Sequence, residues 1–116
     1  MSRLDETVRL RHMLDAARKA VALTSGKTRT EIEADEIAQL ALARLLEIVG
    51  EASSRVSLGY QQAHAEIPWA AVGGLRNRLV HAYFDIDMDV LMDIAQKDLP
   101  VLVEQLERLL LLGTTP

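Results

Sequence analysis

EIEADEIAQLALARLLEIVGEASSRV, residues 31–56, decides the fold class. Its apolar positions Ile37, Leu40, Ala41, Leu45, Ile48, Val49, Ala52 and Val56 recur every three or four residues over some five turns. That is the rhythm of one face of an α-helix. Glu36, Gln39, Glu47 and Arg55 lie opposite. Just ahead of it, Thr30 and Glu33 match the spacing of a capping box, which predicts a single long helix from about Glu31 to Val56.

Outward from this helix the chain stays helical. Val8, Leu10, Leu14, Ala17 and Val21 give an earlier amphipathic helix over about Asp5 to Leu23, stopped at Gly26 in the loop TSGKTR (24–29). SLGYQQAHAEIP (57–68) reads as a connection, with Pro68 placed to open the next helix. That helix is expected from Trp69 to about Tyr83, with Gly73 and Gly74 inside it lowering propensity by roughly 1 kcal/mol each. Two adjacent glycines also allow a neighbouring backbone close. FDID (84–87) is a break rich in capping aspartates. A short helix follows from Met88 to about Gln96, then a last one capped by Asp98, with Pro100 in its first turn, ending near Leu112. Residues 113–116 read as a frayed tail. No segment alternates with period two. The expectation is one all-α domain over residues 1–116, an up-down bundle of four to five helices.

Composition narrows the chemistry. The 116 residues contain no cysteine, which excludes disulfides, thiolate metal sites and thiol nucleophiles. With 49% hydrophobic residues but few aromatics (Tyr60, Trp69, Tyr83 and Phe84), the core must be aliphatic. The charged N-terminus and the short apolar run Leu109–Leu112 give neither a signal peptide nor a membrane span, so a cytoplasmic protein is expected. A net charge of −4 argues against holding nucleic acid by bulk charge. It leaves room for a local basic spot, and Arg76 with Arg78 is the one concentration in the C-terminal half.

That spot belongs to RNRLVHAYFD, residues 76–85, where Arg76, Asn77, His81 and Tyr83 crowd together. On a continuous helix Asn77 and His81 would lie about 40° apart, and Arg76 about 140° from His81. A one-face triad is therefore unavailable, although a long Arg can reach round to a phosphate near the imidazole. His81 falls near a helix C-terminus, which favours its protonated form and suits a general acid or base. Asn77 could orient the ring and Arg76 could stabilise a phosphoryl group. The plain alternative is two solvated arginines and a histidine bonded to a helix-end carbonyl. Elsewhere the sequence is less specific. His12, His64 and His81 share no ligand pattern, so no metal or cofactor is expected. Glu47, Glu51 and Arg55 read more simply as a solvated face with an i,i+4 ion pair than as an acid–base pair. Trp69 reads as packing.

Arg76-x4-His81-x-Tyr83, with Asn77 after the Arg, resembles the signature of HEPN-domain ribonucleases, specifically the HepT-like toxins. EIVGEAS (47–53), EIPW (66–69), GLRNRLVHAYFDID (74–87) and DLP (98–100) resemble further blocks of that family, in order, over roughly residues 3–112. Leu75 and Ala82 depart from a common Met and Gly, without removing a functional group. The resemblance implies a HEPN-like bundle that forms a homodimer with two motif helices facing a cleft. It implies metal-independent endoribonuclease action on a tRNA or mRNA, with Arg76 and His81 catalytic and Asn77 supporting; Arg78, from the local basic charge, is expected to contact RNA phosphate. It also implies a nucleotidyltransferase antitoxin of MntA type, which blocks the toxin by AMPylation of Tyr83. The alternative is a non-catalytic HEPN-like module that docks a nucleotidyltransferase, or a purely structural helical dimer.

Overall fold

The computed structural model describes the backbone of residues 3–82 and 85–114, and the side chains of residues 5–75, 77–78 and 87–111. The chain is all-α, as the sequence predicts, except for one short strand pair that the sequence pattern did not predict. Its frame is α1 (Arg3–Thr24), α3 (Glu36–Ser54) and the run from α7 (Met88–Asp93) into α8 (Leu99–Thr114). Between them come α2 (Arg29–Glu33), α4 (Leu58–Ala63), α5 (Trp69–Gly73), α6 (Leu75–Leu79), and the strands β1 (Val80–Ala82) and β2 (Asp85–Ile86).

Contacts between distant residues fix the directions. Glu6, at the start of α1, accepts hydrogen bonds from Ser57 N at 3.2 Å and Ser57 Oγ at 2.9 Å, just past the end of α3. At the other end of α1, Gln96 donates to the carbonyls of Thr24 and Lys27, and Arg18 pairs with Glu107 at 2.7 Å. Gln105 of α8 donates to Glu66 O before α5, while Arg78 of α6 lies 3.9 Å from Asp98 at the start of α8. Thus α1 runs up, α3 down, α5 and α6 up, and α7–α8 down.

The caps differ from expectation in register. Thr28, rather than Thr30, opens the helix after the first loop, in a reciprocal capping box with Glu31. Two overlapping Thr-x-x-Glu patterns stand here, Thr28–Glu31 and Thr30–Glu33. The first buries Ile32 beneath α2. The expected long helix is also divided: Asp35 adopts an extended backbone and caps α3 by accepting from Ala38 N at 3.0 Å. The connection after α3 contains a helix of its own, α4, capped by Ser57. Gly26 ends α1 as expected, at φ +72°, a conformation that glycine adopts without steric cost.

The core face of α3 is Ala38, Leu42, Leu46, Val49, Ala52 and Ser53, joined by Val56 beyond it. Ile37 and Leu40, expected inside, are 75% and 58% exposed. The helix carries two apolar stripes, and periodicity cannot say which one turns inward. The stripe with small residues wins, because close packing of neighbours needs Ala38, Gly50 and Ser53. Buried Leu10, Met13, Leu14 and Ala17 of α1 and Leu102, Leu106 and Leu109 of α8 complete this aliphatic core.

The last two helices are not separate. A π-helical turn, Ile94–Asp98, joins α7 to α8. Pro100 explains it: proline lacks an N–H and its ring presses on the carbonyl four residues earlier, here Gln96. The wider turn absorbs that conflict while keeping Ile94, Ala95 and Leu99 buried. Asp98 therefore lies inside a helical run and does not cap a new helix. At the far end, α8 continues through Thr114, so the tail expected to fray at 113 starts within it, and 115–116 lie outside the described residues. No helix among the described residues is long and apolar enough to cross a membrane.

Candidate functional site

The segment that carries the motif is anchored at its start by Trp69. The indole Nε1 donates to His64 O at 2.9 Å, and the ring meets Tyr60 edge-on, with centroids 6.3 Å apart. Trp69 is thus the packing residue its sequence context suggests. Tyr60 in turn stacks on His64 at 4.3 Å. Burial, then the carboxylates of Glu6 and Glu66, push the Tyr60 phenol above its ordinary pKa.

One turn further on, α5 crosses α3 at Gly50. A Cβ on Gly50 would stand 3.3 Å from Val72 O and 3.4 Å from Gly73 O. The close approach expected at Gly73 and Gly74 therefore exists, but the residue that permits it is Gly50. A Cβ at Gly73 would meet nothing within 4 Å. EIVGEAS holds the motif-bearing backbone against the bundle through its glycine.

The motif segment itself departs from the continuous helix expected over Trp69–Tyr83. The chain breaks at Gly74, resumes as α6, and leaves helix after Leu79. Val80–Ala82 then pairs antiparallel with Asp85–Ile86, with Val80 opposite Ile86 and Ala82 opposite Asp85. Two adjacent glycines weaken the helix at its start, and the β-branched pair Val80 and Ile86 favours extended backbone beyond it. Arg76 and Asn77 thus stand in α6 and His81 in β1, two residues past the helix end. The four-residue helical relation between Asn77 and His81 does not hold.

Asn77 and Arg78 are exposed. The side chains of Arg76 and His81, and Tyr83 altogether, lie outside the described residues. Beside α6 runs a groove of about 460 Å³ between α5–α6 and α8. Its apolar wall includes Pro68, Ala71, Leu75 and Val101, and Arg78 and Asp98 face each other across it. Leu75 is buried, which fixes the start of α6 on the core.

Of the plainer candidates, Glu47 takes Arg44 at 3.0 Å. Glu51 and Arg55 make no ion pair with each other and instead line a pocket of about 200 Å³ with Arg9, His12, Ile48 and Ala52. Among the described residues, no group of three His, Asp or Glu side chains could hold a metal ion. Two features had no sequence signal: the pocket, formed by residues some 40 positions apart, and the Glu6–Ser57 clamp.

The structure is thus an all-α bundle whose glycine-anchored segment carries Arg76, Asn77 and His81 in sequence, with Arg78 on an open groove. The model of the family described as "Ribonuclease HepT-like" matches residues 13–109, and this chain belongs to that family. Similar proteins include a "Probable ribonuclease HepT" of Thermococcus cleftensis, 40% identical over 75 residues, 65% of this chain and 68% of the relative. A candidate RNase of Methanocaldococcus jannaschii is 32% identical over 107 residues, 92% of this chain and 98% of its own length. Another, of Caldanaerobacter subterraneus subsp. tengcongensis, is 27% identical over 101 residues, covering 87% and 90%. No solved structure gives a significant match.

Proposed function

We propose that this chain is a metal-independent endoribonuclease that acts as the toxin of a toxin–antitoxin pair. The observation that carries the reading is Arg76-Asn77-x3-His81-x-Tyr83 standing in a chain of the ribonuclease HepT-like family. The names of the similar proteins support RNA as the substrate.

The reaction needs few groups. The RNA's own 2′-hydroxyl attacks the adjacent phosphorus. An O2′–P bond forms, the P–O5′ bond breaks, the 2′-proton leaves to a base and the departing 5′-oxygen takes a proton. Products are a 2′,3′-cyclic phosphate and a 5′-hydroxyl. His81 serves in proton transfer, and the Arg76 guanidinium neutralises charge that builds on the phosphoryl oxygens. Asn77 supports the site, and Arg78 meets a neighbouring phosphate. The exposure of Asn77 and Arg78 beside an open groove supports an RNA-facing surface.

Two copies pair with their motif segments facing, which doubles the local positive charge that an acidic chain lacks. A nucleotidyltransferase antitoxin of MntA type transfers AMP from ATP to the Tyr83 hydroxyl, with pyrophosphate leaving. A bulky anion next to His81 then blocks the cleft and repels RNA phosphate. Expression of the chain alone against its His81→Ala variant tests this reading. Growth arrest and RNA breakage with the wild type, and neither with the variant, is the expected result. Equal effects of the two chains would sink the reading.

A further inference from the structure

The acidic net charge leaves a question: what grips the RNA away from the scissile phosphate? The pocket of about 200 Å³ between α1 and α3 supplies an answer. Its polar lining is Arg9 and His12 from α1 with Glu51 from α3 and Arg55 at the C-terminal cap of α3. Some arginines are paired on the protein surface, Arg18 with Glu107, Arg29 with Glu33 and Arg44 with Glu47, whereas exposed Arg11 and Arg108 show no ion pair among the described residues. Arg9 and Arg55 make no ion pair among the described residues, even with Glu51 in the same pocket. The Nε of Arg9 is buried and has no hydrogen-bond partner. A desolvated guanidinium N–H costs free energy until an acceptor reaches it. Ile48 and Ala52 form the floor, so the site has depth as well as charge.

We infer that this pocket binds a phosphodiester of the RNA, outside the cleavage site. The inference rests on the ribonuclease reading for its ligand. Two guanidiniums match one phosphate in charge and geometry, with Glu51 limiting the site to a single anion. Arg55 lies about 140° round α3 from Gly50, whose face carries the motif segment, so the bound phosphate is not the scissile one. Substrate is thereby held at two places, which lets an acidic protein select RNA by shape.

The test uses the His81→Ala chain throughout, so that nothing is cut, with a fluorescein-labelled tRNA in EDTA. Anisotropy gives affinity across a potassium chloride series for that chain and for its Arg9→Gln, Arg55→Gln and Arg18→Gln derivatives. Arg55 is exposed, so its variant stays folded even where loss of Arg9 disturbs packing. Arg55→Gln is expected to weaken binding several-fold and to lower the salt slope by about one. Arg18→Gln, which removes the same charge from an arginine already paired, should leave both unchanged. Equal behaviour of Arg55→Gln and Arg18→Gln, or no tRNA binding at all, overturns the inference. Cleavage by the wild type is scored separately: pocket-dependent binding without any cleavage would leave the pocket standing and remove the nuclease.

Discussion

At the scale of single residues, Gly50 positions the site. The carbonyls of Val72 and Gly73 lie where a Cβ would go, at 3.3 and 3.4 Å. Alanine at position 50 gains about 1 kcal/mol of helix propensity but presses on backbone that cannot swing aside. Gly50→Val adds two methyl groups without that gain, and should lower stability by about 2–4 kcal/mol by denaturant unfolding. RNA cleavage should fall further than the loss of folded protein explains, because the motif segment shifts with α5.

Tyr60 offers a pH test at the same scale. Its phenol is pushed up, first by burial and then by Glu6 and Glu66, from an ordinary value of 10.0. The folded chain therefore holds this proton more tightly than the unfolded chain. The contribution is fully present below pH about 10 and is lost as pH rises through the raised folded value. Unfolding free energy should fall more steeply above pH 10 in the wild type than in Tyr60→Phe. Parallel curves would contradict the assignment.

At the scale of elements, the π-helical turn joins two parts of the fold. Gln96 donates its amide to Thr24 O at 3.0 Å and Lys27 O at 2.9 Å, which caps the end of α1 and ties down the loop behind it. Gln96→Ala removes both bonds, but Thr24 O keeps its bond from Lys27 N at 3.0 Å, so the change should cost about 1–2 kcal/mol, read as a lower denaturant midpoint with an unchanged slope. Sequence pattern made some elements legible and others not. Gly26 marks the end of α1 because only one residue type suits that turn. Trp69 announces a packing site because a lone indole in an aliphatic chain has few other uses. The two stripes of α3 are alike in periodicity, so Ile37 and Leu40 looked like core. The end of α6 at Leu79 was hidden because Leu, Arg and Ala around the motif all tolerate helix, and the strand partner, Asp85–Ile86, is only two residues long. Pro100 signalled a helix start, whereas a buried Ile94–Leu99 face kept the helix going through a wider turn.

At the scale of the molecule, an aliphatic core holds four runs of helix in alternating directions, with Leu46 of α3 and Leu106 of α8 fully buried. Leu46→Ala should cost about 2–5 kcal/mol, a large part of the stability of a domain this size. Leu75 and Arg78 of α6 line one groove, and Arg9 and Arg55 line another. The motif was readable because its residues are neighbours in sequence. The pocket of Arg9, His12, Glu51 and Arg55 was not, because only the antiparallel packing of α1 and α3 assembles it.

The proposed activity is RNA cleavage by Arg76 and His81 without a metal. The direct measurement is incubation of purified, unmodified chain with defined tRNAs and mRNAs in excess EDTA, followed by mapping of the ends. Cuts ending in 2′,3′-cyclic phosphate and 5′-hydroxyl groups are expected, and a folded His81→Ala variant should lose them by a factor of at least about 100. Intact RNA with the wild type, or equal cutting by the variant, would refute the proposed activity.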